Sequence, residues 1–297
     1  MSGGYGAGGF DLEATLNSGQ VFHWEAVEGG EDGLTRWVGV VGDRGVWVCQ
    51  DRAGEVRISD GDEGVVREYL GLNDTMEEIF GSFPRGDRVL EEAVAFCPGL
   101  RIIRQPAWEC LATFITSSLK QVAHIREISL KLRRRFGERA GTFFGREVWA
   151  YPEPGALAAA GEASLRACGM GYRAKGLHRA ASAIASGEVD LGALGILGDE
   201  DLRERLCEFY GVGEKIANCV MLFGFGRLGA FPIDVWIERI LREHYWRRMR
   251  GRKASLARVQ SFAEGYFGAN RGYAQQYLYH WGRHGGDRGE GVDGAVG

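Results

Sequence analysis

Residues 10–57 alternate short apolar runs, RWVGVVG, GVWVCQ and EVRIS, with the turn-forming clusters EGGEDG, GDRG and DRAGE. β-type runs between such clusters predict an antiparallel sheet. From DEGVVREYLGL onward the apolar period lengthens. Beyond Pro98-Gly99 almost every run reads as helix: AWECLATFITSSLKQVAHIREISLKLRRRFG, PGALAAAGEASLRACG, RAKGLHRAASAIASGE, DVWIERILREHYW and ASLARVQSFAEGYFGANRGYAQQYLYHWGRH. The class is therefore α+β. The expected division is a loose glycine-rich leader over 1–9, a β-rich domain over 10–98, a helical domain over 99–283 and a disordered glycine-rich tail over 284–297.

One junction in the helical half carries candidate chemistry. DEDLRERLCEFY places Leu202, Leu206, Phe209 and Tyr210 at helical spacing, with Asp199 and Asp201 where an N-cap and an acidic first turn belong. Gly211 and Gly213 interrupt this helix, and Ile216, Ala217, Cys219, Val220, Leu222 and Phe223 begin another. The hairpin of Gly211, Val212 and Gly213 offers backbone N–H groups beside a helix N-terminus, a seat for phosphate. A lone Gly-x-Gly is more often a plain turn, but three residues add to it. Lys215, one of only five lysines among 36 basic residues, stands in the first turn of the second helix. The helix dipole disfavours a cation there, so the amine is expected to shift towards its neutral, nucleophilic form. Cys219 lies four residues on, on the same face. Asp234, in GAFPIDVWIERIL, sits at the mouth of a further helix, as a cap that can also turn its charge towards a reacting cation.

Composition narrows the alternatives. Six scattered cysteines with no C-x-x-C pair argue against zinc or iron–sulfur sites and predict reduced, buried thiols. No apolar run approaches the ~20 residues of a membrane span, and MSGGYGAGGF lacks the features of a secretory signal. The net charge of −4 hides an asymmetry. Residues 1–100 carry 7 basic against 19 acidic side chains (net −12), and residues 101–297 carry 29 against 21 (net +8). A basic second half suits an anionic partner.

A hairpin lysine followed nineteen residues later by the aspartate of FPIDVW resembles the helix-hairpin-helix superfamily of base-excision DNA glycosylases. The lysine resembles its bifunctional glycosylase/lyase branch. From Phe10 to His284 the chain looks like the 8-oxoguanine DNA glycosylase family. LNSGQVFHW is similar to the family strand whose glycine carbonyl, here Gly19, meets the N7–H of oxidised guanine. IIRQPAWECLATFITSS is similar to the start of the family's helical body. GMGYRAKGL resembles the segment that supplies Tyr172 and Arg173 near the base opposite the lesion. GYAQQYLYHW resembles the helix that reads the flipped base, with Gln275 on its Watson–Crick edge and Tyr279 stacked on its face. Phe223 falls where the family lines the pocket beside Cys219. Two places depart from the family. SSLKQVAHI has Leu119, Lys120 and Gln121 in place of a run of asparagines and His124 in place of an arginine, so Leu119 is placed as an apolar wedge. Trp236 stands where the family often has a histidine.

The resemblance implies a TATA-binding-protein-like N-terminal sheet ahead of the helical body. It implies excision of oxidised guanine from double-stranded DNA by Lys215 and Asp234, followed by strand nicking. Leu119, Lys120, His124, Tyr172, Arg173 and the hairpin residues would contact DNA. No cofactor and no catalytic metal are implied, but a structural monovalent ion at the carbonyls of Cys207, Phe209 and Val212 is. The protein is expected to be a monomer without membrane association, in the nucleoid-bearing cytoplasm or the nucleus. Iron–sulfur relatives are excluded, because no cysteine follows Cys219. Two readings stay open: an alkylated-base glycosylase, which would lack the lysine, and a hairpin protein that only binds DNA.

Overall fold

The computed structural model describes residues 9–28, 32–117, 121–249, 251 and 253–285. Asp11 accepts the Ala14 N–H at 2.9 Å and caps the first helix, α1 (Leu12–Asn17). Four strands follow, β1 (Glu25–Val27), β2 (Arg36–Val41), β3 (Arg44–Gln50) and β4 (Val56–Ile58), paired as an antiparallel meander in chain order. The helices α2 (Glu63–Tyr69), α3 (Met76–Gly81) and α4 (Arg88–Phe96) lead out of it. Trp37, Val41, Val46 and Val48 bury one face of the sheet against Leu12 and Leu16 of α1 and Val66 and Tyr69 of α2. At Gly39 a Cβ would stand 2.6 Å from the Trp24 ring, so that close approach requires glycine.

The body contains α5 (Ala107–Ser117), α6 (Val122–Phe136), a hairpin of β5 (Arg139–Phe143) and β6 (Arg146–Trp149), and α7 (Pro154–Leu165). A π-helical turn (Arg166–Met170) leads into α8 (Arg173–Ala185) and α9 (Leu191–Gly195). The chain continues through α10 (Asp199–Cys207), α11 (Glu214–Gly224), α12 (Val235–His244), α13 (Leu256–Tyr266) and α14 (Arg271–Arg283). Helices α11 and α14 are buried nearly all round, Ile216–Phe223 and Tyr273–Leu278 respectively, and form the centre of the body. Among the described residues no helix is long and apolar enough to cross a membrane, and all six cysteines are free.

The structure corrects the sequence reading in four places. The stretch read as one helix from Ala107 to Gly137 is two, α5 and α6. The stretch from Ala254 to His284 likewise divides into α13 and α14. Gly198, not Asp199, is the N-cap of α10. The β5–β6 hairpin was not expected in the helical half at all. It covers the second face of the N-terminal sheet, where Val148 and Phe143 pack on Val38, Val40 and Trp47. That cover explains why β2 is buried from Trp37 to Val41 on both faces instead of alternating.

Two features tie the halves together. The extended segment 100–106 gives the Ile103 N–H to Gln20 Oε1 (2.8 Å) and the Gln105 N–H to the Phe223 carbonyl (2.7 Å). Gln20 Nε2 also donates to the Arg101 carbonyl at 2.8 Å, so the SGQ segment is held against the body from both sides of its amide. Beneath the sheet, Glu109 of α5 pairs with Arg133 of α6 in full burial. Arg133 continues to the Trp149 carbonyl on β6 (3.1 Å), and His23 Nδ1 lies 3.5 Å from Glu109. Burial keeps the His23 ring neutral, with Arg133 adding to the effect. Its Nε2, 2.8 Å from the Val40 carbonyl, is the protonated nitrogen because a carbonyl can only accept. Replacing Glu109 with Ala strands a buried guanidinium. The expected loss in urea unfolding is about 3–5 kcal/mol, whereas a loss of no more than about 1 kcal/mol, typical of a surface pair, would show that the cluster does not join the halves.

Candidate active site

Gly213 is the N-cap of α11, and Gly211, at φ +85°, turns the chain into it. Val212 closes the hairpin by donating its N–H to the Phe209 carbonyl at 3.0 Å. That carbonyl therefore keeps only its second lone pair for the monovalent ion that the resemblance implies at Cys207, Phe209 and Val212. Gly211 and Gly213 are exposed, and Val212 is buried. The amides on either side of Val212 are thus offered to solvent beside the start of an eleven-residue helix.

Lys215, Cys219 and Phe223 fall on one face of α11 at successive i,i+4 positions. The Lys215 ammonium lies 5.4 Å from the centre of the Phe114 ring, which stacks on Phe223 at 5.6 Å and 14°. Asp234 caps α12 by accepting the N–H groups of Trp236 (3.1 Å) and Ile237 (2.9 Å). Both bonds engage Oδ1, so capping does not use up the carboxylate, and its charge still acts on Lys215.

The electrostatics correct one expectation. Cys219 raises the Lys215 pKa most, with Asp234 and Tyr279 adding to it, and together they outweigh burial. The amine is therefore held as an ammonium and is not depressed by the helix dipole. Burial pushes the Cys219 thiol up despite the lysine beside it. At neutral pH the two are an ammonium and a thiol on neighbouring turns of one helix face. Burial also raises the Asp234 carboxyl, opposed by the two capping bonds and by Lys215.

The N-terminal segment closes over this group. Gly19 has φ +84°, and a Cβ there would stand 3.3 Å from both Tyr279 Oη and Arg283 Nη1. Arg283 in turn donates to the Tyr279 hydroxyl at 3.2 Å. Phe22 packs edge-on to Phe114 at 6.5 Å. Gln275, one turn before Tyr279 on α14, is buried, and its Oε1 accepts from Gln276 Nε2 at 2.6 Å. Gly19, Lys215, Cys219, Asp234 and Tyr279 are thus one connected cluster, with Phe223 reaching it through Phe114. Sequence reasoning missed Phe114, Arg283 and Phe22. Each sits in an apolar or basic stretch whose pattern is that of ordinary core or surface.

The residues expected at DNA separate into a second group. Tyr172, exposed, carries the Arg173 guanidinium over its ring at 4.6 Å. Both line a 70 Å³ cavity with Ile115, Tyr210 and Gly211. His124 is exposed at the start of α6, its Nε2 facing Gly169. Leu119 and Lys120 lie outside the described residues.

Comparison with known proteins agrees with this geometry. The profile of the 8-oxoguanine DNA glycosylase N-terminal domain matches residues 6–111. That of the HhH-GPD superfamily base excision DNA repair proteins matches residues 112–263. A probable N-glycosylase/DNA lyase of Methanothermobacter thermautotrophicus is 30% identical, covering 94% of this chain and 95% of its own. The structure of MBOgg1 with a low-affinity DNA ligand superimposes with a TM-score of 0.83 at 34% identity, over 94% of this chain and 93% of that one. The Clostridium acetobutylicum 8-oxoguanine glycosylase/lyase, bound to double-stranded DNA with cytosine opposite 8-oxoguanine, gives 0.82 at 29% identity, over 93% of each chain. With a lysine-bearing hairpin, a capping aspartate and an N-terminal segment whose Gly19 and Phe22 reach Tyr279 and Phe114, the chain belongs to the 8-oxoguanine DNA glycosylase family of the HhH-GPD superfamily of base-excision repair proteins.

Proposed function

We propose that the protein removes 8-oxoguanine from duplex DNA and then nicks the strand, with Lys215 as nucleophile and Asp234 as the charge that steadies the reacting sugar. The observation that carries this is the surroundings of Lys215: an amine between a thiol, a carboxylate and an aromatic ring, under a lid formed by Gly19 and Tyr279. The damaged nucleotide is taken out of the stack at a cost of a few kcal/mol. Gly19 offers its carbonyl to N7–H, which guanine lacks. Gln275 reads an edge common to both bases, Tyr279 stacks on the face, and Cys219 and Phe223 line the pocket. Positive charge grows on the sugar as the C1′–N9 bond lengthens, and Asp234 stabilises it. Lys215 gives up a proton and bonds to C1′, while the N9 electrons leave with the base, which takes up a proton. The attached nitrogen loses a second proton, and its lone pair opens the sugar ring: the C1′–O4′ bond breaks, O4′ takes up a proton and a protonated imine forms. The imine acidifies C2′, whose proton is lost as the C3′–O bond breaks and the 3′-phosphate leaves.

The hairpin amides of Gly211 and Gly213 hold phosphates, whereas the Val212 N–H, expected among them, is taken by the Phe209 carbonyl. Tyr172, Arg173 and His124 face the opposite strand, with Leu119 and Lys120 at the gap left in the duplex. The cytosine-containing complex of the Clostridium relative supports duplex DNA as the substrate. Such work belongs with chromosomal DNA, in a nucleoid or a nucleus.

The test is single-turnover cleavage of duplexes that carry 8-oxoguanine opposite each of the four bases, guanine, or an alkylated purine. Excision of the alkylated base alone would overturn the reading. Gly19→Ala sharpens it. The left-handed backbone strains any side chain by roughly 1–2 kcal/mol, and the new methyl crowds Tyr279. Excision of 8-oxoguanine should fall by on the order of tenfold, while nicking of a pre-formed abasic site, which needs no base recognition, is kept. Equal rates on 8-oxoguanine for wild type and variant would remove the N-terminal segment from recognition.

A further inference from the structure

Tyr210, the residue before the hairpin glycine Gly211, is 48% exposed, and its ring faces two cations of α8. Lys175 Nζ lies 5.1 Å and the Arg179 guanidinium carbon 5.2 Å from the ring centre. The two cations are one helical turn apart on α8. Among the described residues neither has a carboxylate partner. Like charges at i,i+4 destabilise a helix, and a ring quadrupole offsets this only in part. Elsewhere on this surface the fold neutralises such charges. Arg205 is paired with Glu208, three residues along the chain, and both line a 720 Å³ groove with Arg179, Tyr210 and Glu188. Arg166 is paired with Glu162.

The position of the pair is fixed relative to the hairpin. A Cβ at Gly176 would meet the Tyr210 carbonyl at 2.7 Å, so α8 sits directly on the residue that opens the hairpin. Beside the same hairpin, Arg173 is 9% exposed, and its Nε is buried without an acceptor next to the small cavity that it lines with Gly211. Arg173, Lys175 and Arg179 therefore run along one helix beside the exposed hairpin amides, as unneutralised charge held in place by aromatic rings.

We propose that Lys175 and Arg179, held on the ring of Tyr210, bind DNA backbone phosphates beyond those taken by the hairpin amides. This rests on the reading of the hairpin as the DNA-facing edge. A guanidinium and an ammonium over a ring keep their outer N–H donors free for phosphate oxygens. They carry no base information, so they add affinity for any duplex. Tyr210 pre-orders two long side chains that would otherwise lose rotamer freedom on binding.

The experiment is a salt titration of duplex binding by the full chain, on undamaged and 8-oxoguanine duplexes. The double variant Lys175→Gln/Arg179→Gln should lower the slope of log K against log salt by about 0.9 for each phosphate that is no longer neutralised, so by up to ~1.8. It should weaken both duplexes by the same factor. Arg205→Gln, which removes a paired charge from the same groove, should leave the slope unchanged. Tyr210→Leu should keep the slope and weaken binding several-fold, because both charges remain but are no longer pre-ordered. A double-variant slope equal to wild type would overturn the two phosphate contacts alone. A drop just as large in Arg205→Gln would do the same, by reducing the effect to bulk charge. A wild-type protein with no salt-dependent affinity for duplex DNA would overturn the DNA-facing hairpin itself, and this proposal with it.

Discussion

Lys215→Gln is expected to abolish covalent trapping on 8-oxoguanine duplex under borohydride and to abolish strand nicking, while the lesion duplex is still bound. Glutamine keeps most of the stem that lies over Phe114 but has no amine to form an imine. Both losses should be complete, since among the described residues no other lysine belongs to the Cys219, Asp234 and Tyr279 group. A cross-link that persists in this variant would assign the nucleophile to another amine. Wild-type imine formation on a pre-formed abasic site should also rise with pH through the neutral range. Cys219 and Asp234 raise the Lys215 pKa, so the reactive amine is the minor form and grows as protons are removed. With the Cys219 thiol neutral, Asp234 is the charge that acts on the ammonium in this range, so Asp234→Asn should move this rise to lower pH; an unmoved profile would show that the carboxylate does not hold the ammonium.

Asp234→Asn should separate the two duties of that residue. Asparagine caps helices as well as aspartate does, so the bonds to Trp236 and Ile237 survive. Burial raises the Asp234 pKa above 3.8, so its ionised form penalises the fold. That penalty is absent at low pH, grows as pH climbs from the unfolded to the folded pKa, and is constant above. The neutral variant should therefore melt no lower than wild type at pH 7. Base removal should slow by on the order of 10²-fold or more, the scale of removing one electrostatic partner of the transition state. A variant that melts several degrees lower and still excises at a near-normal rate would leave Asp234 as a cap and nothing more.

The site was legible where chemistry is local to the chain. Gly211, Gly213, Lys215 and Cys219 form a hairpin and one helix face within nine residues, and Asp234 announces itself as a cap before an amphipathic run. Periodicity and turn chemistry act over just such distances, so α11, α12 and the strands β2, β3 and β4 could be read directly, whereas the three-residue β1 could not. Gly19, Gln275, Tyr279, Tyr172 and Arg173 were placed by resemblance; the physics of their own segments is that of a turn, a buried helix and a helix start.

What the chain alone did not decide is long-range. The β5–β6 hairpin has too little alternation to declare itself, and it exists because the second face of the N-terminal sheet needs cover. Phe114 reads as core in an apolar helix, and only the packing of α5 against α11 puts its ring beside an ammonium. The lysine's charge state reversed the helix-dipole argument for the same reason. A dipole acts along one helix, whereas the groups that raise the Lys215 pKa are Cys219 one turn along and, from two other helices, Asp234 and Tyr279. The sequence by itself determined which residues can do chemistry and on which local scaffold. The tertiary fold decided which of them meet and in what charge state, because contacts and burial between separate segments of the chain leave no periodic trace in either one.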